Sequence, residues 1–426
     1  DSPYRPTGGN YTVYNLYLTS QKWLKESDFN PERGSTDIWR HWLQICIPDN
    51  ILPDASLATL WIDGGSNKRY NQSPGDIDFI LKRNCEQAQL VSAGLYQIPN
   101  EPTYFAERPD KRTTEDSMIA YTWEVWTNGT LAGNQKSVDE WLARMPMTKA
   151  SIKAMDAVQD FITSLIEPNS PYPKPPNFPE MSKVEEFITS GASKRGWTSW
   201  MTGCMGDKRV KAIIPVVAPI ARLQDSMNEQ FRSLGTYSFA LQDYVDVGLM
   251  PGFLNEPVFK QLLDIIDPLT YGEEMKKTPK YVIVAAGDEF FQPDSAKYFW
   301  KQLEGEKHLR IVPNAEHSLA GSVFNVIDSA VQYGKTFVNK KPLPEYEWVI
   351  SDDGQTIRVN IDKKGAQQVV DVRAWYSRNN TRRDWRLVRC VEVDPECVNP
   401  AFFSPTKLQP IADGVYEYTL EAPGTG

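Results

Sequence analysis

Apolar positions along the chain fall into three successive textures. The first is extended and rich in aromatics: Asp37 to Ile47 (DIWRHWLQICI) and Leu57 to Ile62 (LATLWI) read as strands, the second ending at Gly64 and Gly65. Helical spacing follows over Asp76 to Val91 and over Thr148 to Ile166, where Ile152, Met155, Val158, Phe161, Ile162 and Leu165 recur at three- and four-residue steps. Six prolines between Glu167 and Pro179 predict a loop, because proline lacks the amide donor and fixes its own φ. In the second texture, short β-rich runs at Val184 to Thr189, Val210 to Val217, Lys280 to Ala286 and His308 to Val312 alternate with helical patterns such as Asp294 to Leu303 and Leu319 to Tyr333. That alternation predicts a mostly parallel sheet covered by helices.

The third texture begins near Lys341. Tyr346 to Ile350, Gln355 to Ile361, Val369 to Tyr376, Trp385 to Val391 and Val415 to Leu420 are strand-like, with Asp-Gly, Lys-Gly and Asn-Asn turns between them. They predict a small all-β, sandwich-like domain, joined through Lys340, Lys341, Pro342 and Pro344. The expected organisation is an N-terminal extended segment (1–36) packed on the main domain, an α/β domain (37–340) and the β domain (341–426).

Composition narrows the partners. The 426 residues are 41% hydrophobic and 24% charged, which excludes a disordered or fibrous chain. A net charge of −9 without any Lys/Arg cluster argues against nucleic acid. The longest apolar run, Ala212 to Ala221, is about half of the roughly 20 residues of a membrane span and holds Pro215 and Pro219, so no transmembrane helix is expected. Five cysteines leave at least one thiol free; Cys390 and Cys397 would close a small loop, and Cys46 and Cys85 are the further disulfide candidates. Sequons at Asn10, Asn71, Asn128 and Asn379 suit a secreted glycoprotein, although Asp1 to Asn10 lacks the pattern of a signal peptide.

The most informative stretch is Val184 to Gly206 (VEEFITSGASKRGWTSWMTGCMG), which reads strand, tight turn, helix with Ser193 at the turn. A nucleophile elbow holds its serine in a strained conformation and usually has glycine two residues before and after it. Gly191 fits; the position two residues on is Arg195, with Gly196 following. Trp197, Trp200, Met201 and Cys204 give the helix a buried face, and Gly206 supplies its stop. The competing reading is a plain serine N-cap.

A serine nucleophile needs a general base, and the chain offers only His41, His308 and His317. His41 lies within a strand and His308 begins one, whereas His317 follows a strand in VPNAEHSLAG, where an α/β-hydrolase carries its base. The orienting acid comes between serine and histidine in that fold. Asp288, directly after KYVIVAAG, is the first candidate, Glu289 a reserve, and Asp294 is better explained as a helix N-cap. Ser193, Asp288 and His317 thus form the expected triad, which would cleave a small-molecule ester or a peptide. The oxyanion donors expected are the Lys194 amide and one from Gly65 or Ser66 in IDGGSN. No phosphate-loop, H-E-x-x-H or C-x-x-C pattern calls for a cofactor or metal. Glu115 and Asp116 read as first-turn helix acids, with binding of a cationic substrate group as the lesser alternative. Trp39, Trp42, Trp61, Trp123, Trp126 and Trp141 read as core before substrate cleft.

GASKRGWTSW, PMTKASIKAMDAV, DPLTYG, GDEFFQPDS and VPNAEHS, in this order, resemble the PhoPQ-activated pathogenicity-related protein family from about Tyr11 into the C-terminal domain. The resemblance implies an α/β-hydrolase fold and the same three triad positions. It also implies two functional expectations: a secreted serine hydrolase, or a secreted signalling protein that meets a cell-surface receptor and keeps the fold with little or no catalysis. Because family members often carry residues before the segment matching Tyr11, it further implies N-terminal processing or truncation; the end at Gly426, shortly after a strand-like run, also predicts a missing tail.

Overall fold

The computed structural model describes residues 3–6, 9–52, 56–69, 74–134, 138–179, 183–362, 368–379, 383–390, 397–398 and 402–420. Eight strands form the main sheet: β1 Tyr11–Lys22, β2 Ile38–Pro48, β3 Leu57–Ile62, β4 Val91–Leu95, β5 Glu186–Ala192, β6 Val210–Val216, β7 Lys280–Ala285 and β8 Lys307–Val312. Their order is β1-β2-β4-β3-β5-β6-β7-β8, the α/β-hydrolase arrangement. β1 pairs antiparallel with β2 and β2 with β4, and every pairing from β4 to β8 is parallel.

Side-chain alternation sorts the helices between the two faces. Helices α1 Phe79–Ala88 and α9 Val323–Asn339 share a core with Ile188, Ile214, Val216 and Ile283. The next residues along the same strands, Phe187, Ile213, Val282 and Val284, point the other way. That face receives α2 Glu115–Leu131, α3 Arg144–Ile166, α4 Lys194–Cys204, α5 Leu223–Leu234, α6 Gln242–Asp246, α7 Pro257–Ile266 and α8 Gly272–Lys277. Strands buried on both sides read as continuous apolar runs, which is why β6 and β7 stand out in the sequence. A disulfide joins Cys46 in β2 to Cys85 in α1, a second joins Cys390 to Cys397, and Cys204 is free and buried. Among the described residues no helix is long and apolar enough to cross a membrane.

Several expectations are corrected. Within the N-terminal segment, Tyr11–Lys22 is the edge strand of the main sheet, so the chain enters that sheet before Asp37. The helical pattern over Asp76 to Val91 divides: Asp78 caps α1 by accepting from Ile80 and Leu81 N–H (2.8 and 3.0 Å), Gln89 ends it at φ 61°, and β4 follows. Asp294 to Leu303 is a single 3₁₀ turn, Ser295–Tyr298, because the Asp294 carboxylate bonds Lys297 and Arg383 instead of capping amides. The C-terminal part is small and antiparallel. β10 Thr356–Asp362 sits between β9 Glu345–Ile350 and β13 Val415–Thr419, and β11 Arg373–Tyr376 pairs with β12 Ser404–Lys407. The strand expected at Trp385 to Val391 is reduced, among the described residues, to one bridge between Val388 and Val398.

Candidate active site

β5 runs into Ser193, which holds φ 56° and ψ −124°, and α4 starts at the next residue. A non-glycine residue there is strained, and the surroundings fix it: Ser193 N–H donates to the Val216 carbonyl and Ser193 C=O accepts from Trp197, both at 2.9 Å. Two glycines permit the turn. A Cβ on Gly191 would meet the Arg195 carbonyl at 2.7 Å, and one on Gly196 would meet the Val216 carbonyl at 2.8 Å. Gly196, three residues after the serine, thus provides the close approach to β6, which leaves position 195 open to a large side chain. At the first position of α4 the Lys194 amide has no carbonyl four residues back within the helix.

The acid and the histidine come from the loops after β7 and β8. Asp288 is 3% exposed; its Oδ1 accepts from the Phe290 and Phe291 amides at 2.7 and 3.2 Å. His317 Nδ1 lies 2.9 and 2.8 Å from the two Asp288 oxygens. An ionised carboxylate only accepts, so Nδ1 carries the proton and Nε2 presents a lone pair. Nε2 is buried without a hydrogen-bond partner. Burial disfavours the imidazolium, but the Asp288 carboxylate, with Glu289 behind it, outweighs burial and raises the His317 pKa above its ordinary value. Glu289 holds the backbone instead of the ring: its Oε2 accepts the His317 amide at 2.8 Å, and burial raises its own pKa. The Phe290 ring lies 4.3 Å from the imidazole.

Ser193 and His317 line one cavity of about 390 Å³. Among the described residues no hydrogen bond joins Ser193 Oγ to His317 Nε2. Asp63 also reaches this cavity, its carboxylate raised by burial against the opposing Trp61 and Gly64 N–H groups. Gly65 and Ser66 lie to the side: Gly65, at φ 135°, abuts Gln97, and Ser66 bridges Glu101, so neither lines the cavity.

Cations from the start of α4 reach the first turn of α2. Lys194 Nζ pairs with Glu115 at 2.7 Å and Asp116 at 2.9 Å, and Arg195 donates to Glu115 Oε1 at 2.6 Å and to the Ile98 carbonyl at 2.5 Å. The two acids therefore bind cations of their own chain. Burial works against the Glu115 charge, but Arg195 and Lys194 prevail and take its pKa down to about 2. Burial and the neighbouring Glu115 charge push Glu101 up to about 7. Arg144, absent from the sequence-based candidates, is buried, donates to the Lys194 carbonyl at 2.9 Å and stacks 3.9 Å over Trp197; burial lowers its pKa to about 10. An arginine inside the apolar stretch that opens α3 was the available hint.

The remaining candidates are scattered. Trp39, Trp123 and Trp126 are fully buried, and Trp61 lines the 390 Å³ cavity. His41 is sealed between Ser20 (2.8 Å) and the Tyr96 carbonyl (3.0 Å), its pKa lowered by burial to about 4. Asn10 and Asn128 are exposed, Asn379 is half-buried and donates to the Asp384 carbonyl at 2.7 Å, and Asn71 lies outside the described residues.

A solved acetyl xylan esterase from Paenibacillus sp. R4 is 12% identical, with a TM-score of 0.43, over 75% of this chain and 84% of that one. A solved prolyl endopeptidase is 13% identical with a TM-score of 0.42, over 77% of this chain and 38% of the other. The family model described as PhoPQ-activated pathogenicity-related protein matches residues 5–386. Autocrine proliferation repressor protein A of Dictyostelium discoideum is 38% identical over 424 residues, 98% of this chain and 78% of the relative.

Proposed function

Starting from a chain that belongs to the PhoPQ-activated pathogenicity-related protein family, we propose that it is a secreted serine hydrolase that cleaves an ester or amide bond through Ser193, His317 and Asp288. The observation that carries this reading is the Asp288–His317 pair, which leaves Nε2 without a hydrogen-bond partner among the described residues, on a residue that lines the same cavity as Ser193. In the reaction Ser193 Oγ bonds to the substrate carbonyl carbon while His317 Nε2 takes the hydroxyl proton. The bond to the leaving group breaks, and that proton passes to the departing oxygen or nitrogen. Water then repeats the sequence on the acyl-enzyme, losing its proton to Nε2 and releasing the acid and free Ser193. Hydrogen bonds between nucleophile and base are often long without substrate and tighten in the substrate complex, which is where this chemistry requires the Ser193 Oγ–Nε2 contact. The Lys194 amide at the helix start is one oxyanion donor. Two disulfides and the exposed sequons at Asn10 and Asn128 support an extracellular setting.

The test is covalent labelling with a fluorophosphonate. Wild-type protein is expected to give an adduct on the Ser193 peptide that Ser193→Ala and His317→Ala abolish; a folded, unlabelled wild type refutes a competent triad. That result would favour the second reading, a secreted signalling or binding protein on a hydrolase fold. The 38% identical relative described as an autocrine proliferation repressor supports it.

A further inference from the structure

The 390 Å³ cavity continues well past the reacting groups. From Ser193 and His317 it runs back along the sheet face that carries Ile188, Ile214 and Val216, beneath the inner side of α9, where Val326, Ile327 and Val331 form the roof. α1 closes the flank, held to α9 by the bidentate Arg83–Asp328 pair (2.7 and 2.9 Å) and by Phe79 against Phe324. Sheet–helix packing of this kind normally leaves little space. Here α9 presents Ala330 and Gly334 to the sheet, and the missing side-chain volume is the cavity. A Cβ on Gly334 would meet only Ile188 Cδ1, at 3.4 Å. Most of the lining is apolar; Asp63, Lys194 and His317 are among its polar members, and Asn84 donates to Thr59 Oγ1 at 2.6 Å.

On the opposite side of Ser193 the space among Trp197, Phe290 and Arg144 is only about 30 Å³, the size of one water. Of these two spaces beside Ser193, the slot is the one with room for a large substituent on the reacting carbonyl. The acyl group must stay in position through both halves of the reaction, while the leaving group departs, so the larger slot suits the acyl group.

We propose that the slot between β5, β6 and α9 is an acyl-chain site and that the substrate is an ester of a medium-length aliphatic acid. This rests on the hydrolase reading above. At roughly 30 Å³ per water-sized group, the volume holds on the order of a dozen methylenes or fewer.

The test is the chain-length profile of p-nitrophenyl ester hydrolysis from acetate to dodecanoate, measured alongside labelling of Ser193 by a short ethyl fluorophosphonate. Burial of a methylene favours binding by about fourfold and decanoate carries eight more of them than acetate, so even partial burial of the chain is expected to raise kcat/KM for decanoate over acetate by at least about tenfold. Gly334→Leu places a side chain in the slot and is expected to lower the decanoate-to-acetate ratio by at least about tenfold; Ala330→Phe tests the same space if that variant does not fold. Labelling of Ser193 combined with a flat profile, a preference for acetate, no ester hydrolysis, or a ratio that folded slot variants leave unmoved overturns the acyl site alone. A folded wild type that the short probe does not label overturns the hydrolase reading itself, and this inference with it.

Discussion

Ser193 holds a backbone conformation that an L-residue adopts only under constraint, at a cost of order 1–3 kcal/mol. Glycine adopts such angles freely. Ser193→Gly is therefore expected to be about 1 kcal/mol more stable than Ser193→Ala in denaturant unfolding, and equal midpoints for the two variants would mean the turn stores no strain. At His317 the sign of the pH dependence follows from the raised pKa. The Asp288 carboxylate favours the cation, so the imidazole keeps its proton to a higher pH than a free histidine does, and only the deprotonated ring can act as base. kcat/KM should rise through an apparent pKa above 6.5, the ordinary histidine value. Asp288→Asn removes the attraction and leaves burial in charge, so the midpoint should move below 6.5 while the plateau falls on the order of 10⁴-fold. A midpoint that stays in place would separate Asp288 from the histidine's titration. The same shift makes a stability term that is fully present below the unfolded pKa and is lost as pH rises through the folded one.

Between elements, the elbow is fastened by charge. Arg195 and Lys194 leave the N-terminus of α4 and meet Glu115 at the start of α2, with Arg195 also held by the Ile98 carbonyl. Arg195→Ala would strand Glu115 beside Glu101 with one cation fewer. Because Glu115 is about two-fifths exposed, the expected loss of stability is about 1–3 kcal/mol, below that of a fully buried pair. The lowered Glu115 pKa contributes stability above its unfolded value, and that contribution fades as pH falls toward about 2. The deficit of Arg195→Ala should therefore be largest near neutrality and shrink below about pH 4.5, the ordinary glutamate value; a deficit independent of pH would point to lost packing instead. What the sequence revealed at this scale follows from locality. Ser193, Asp288 and His317 are legible because each lies in the turn or loop that follows a β-rich run, in hydrolase chain order. β1 and β4 are not: one alternates imperfectly at an edge, and the other is five buried residues with no alternation to detect. The partners of Arg195, and the slot left by Ala330 and Gly334, depend on packing between distant segments, which periodicity does not encode.

Over the whole molecule, the small β part is fixed to the loops that carry the acid and the base. Leu387 N–H donates to the Gly287 carbonyl at 2.8 Å, one residue before Asp288, and the Gly287 amide in turn donates to Ala315 at 2.8 Å, two residues before His317. Asn314 and Phe403 exchange two hydrogen bonds of 2.9 and 2.7 Å, and Arg383 reaches Glu229 and Asp294. The C-terminal segment thus supports the geometry of the Asp288–His317 pair from behind. Gly287 is the narrowest point: a Cβ there would stand 2.8 Å from Leu387 Cβ and 3.0 Å from both the Ala315 carbonyl and the Leu387 nitrogen. Two of those neighbours are backbone, so relief requires the acid loop, the histidine loop or the C-terminal segment to move. Gly287→Ala is expected to cost about 1–3 kcal/mol of stability and, by displacing Asp288 from His317, to reduce fluorophosphonate labelling of Ser193. If the loss arises across this junction, Leu387→Gly removes one of the three clashing atoms, and the double variant should be more stable than the sum of the two single effects predicts. Strict additivity would mean that the C-terminal part only borders the loops and does not hold them.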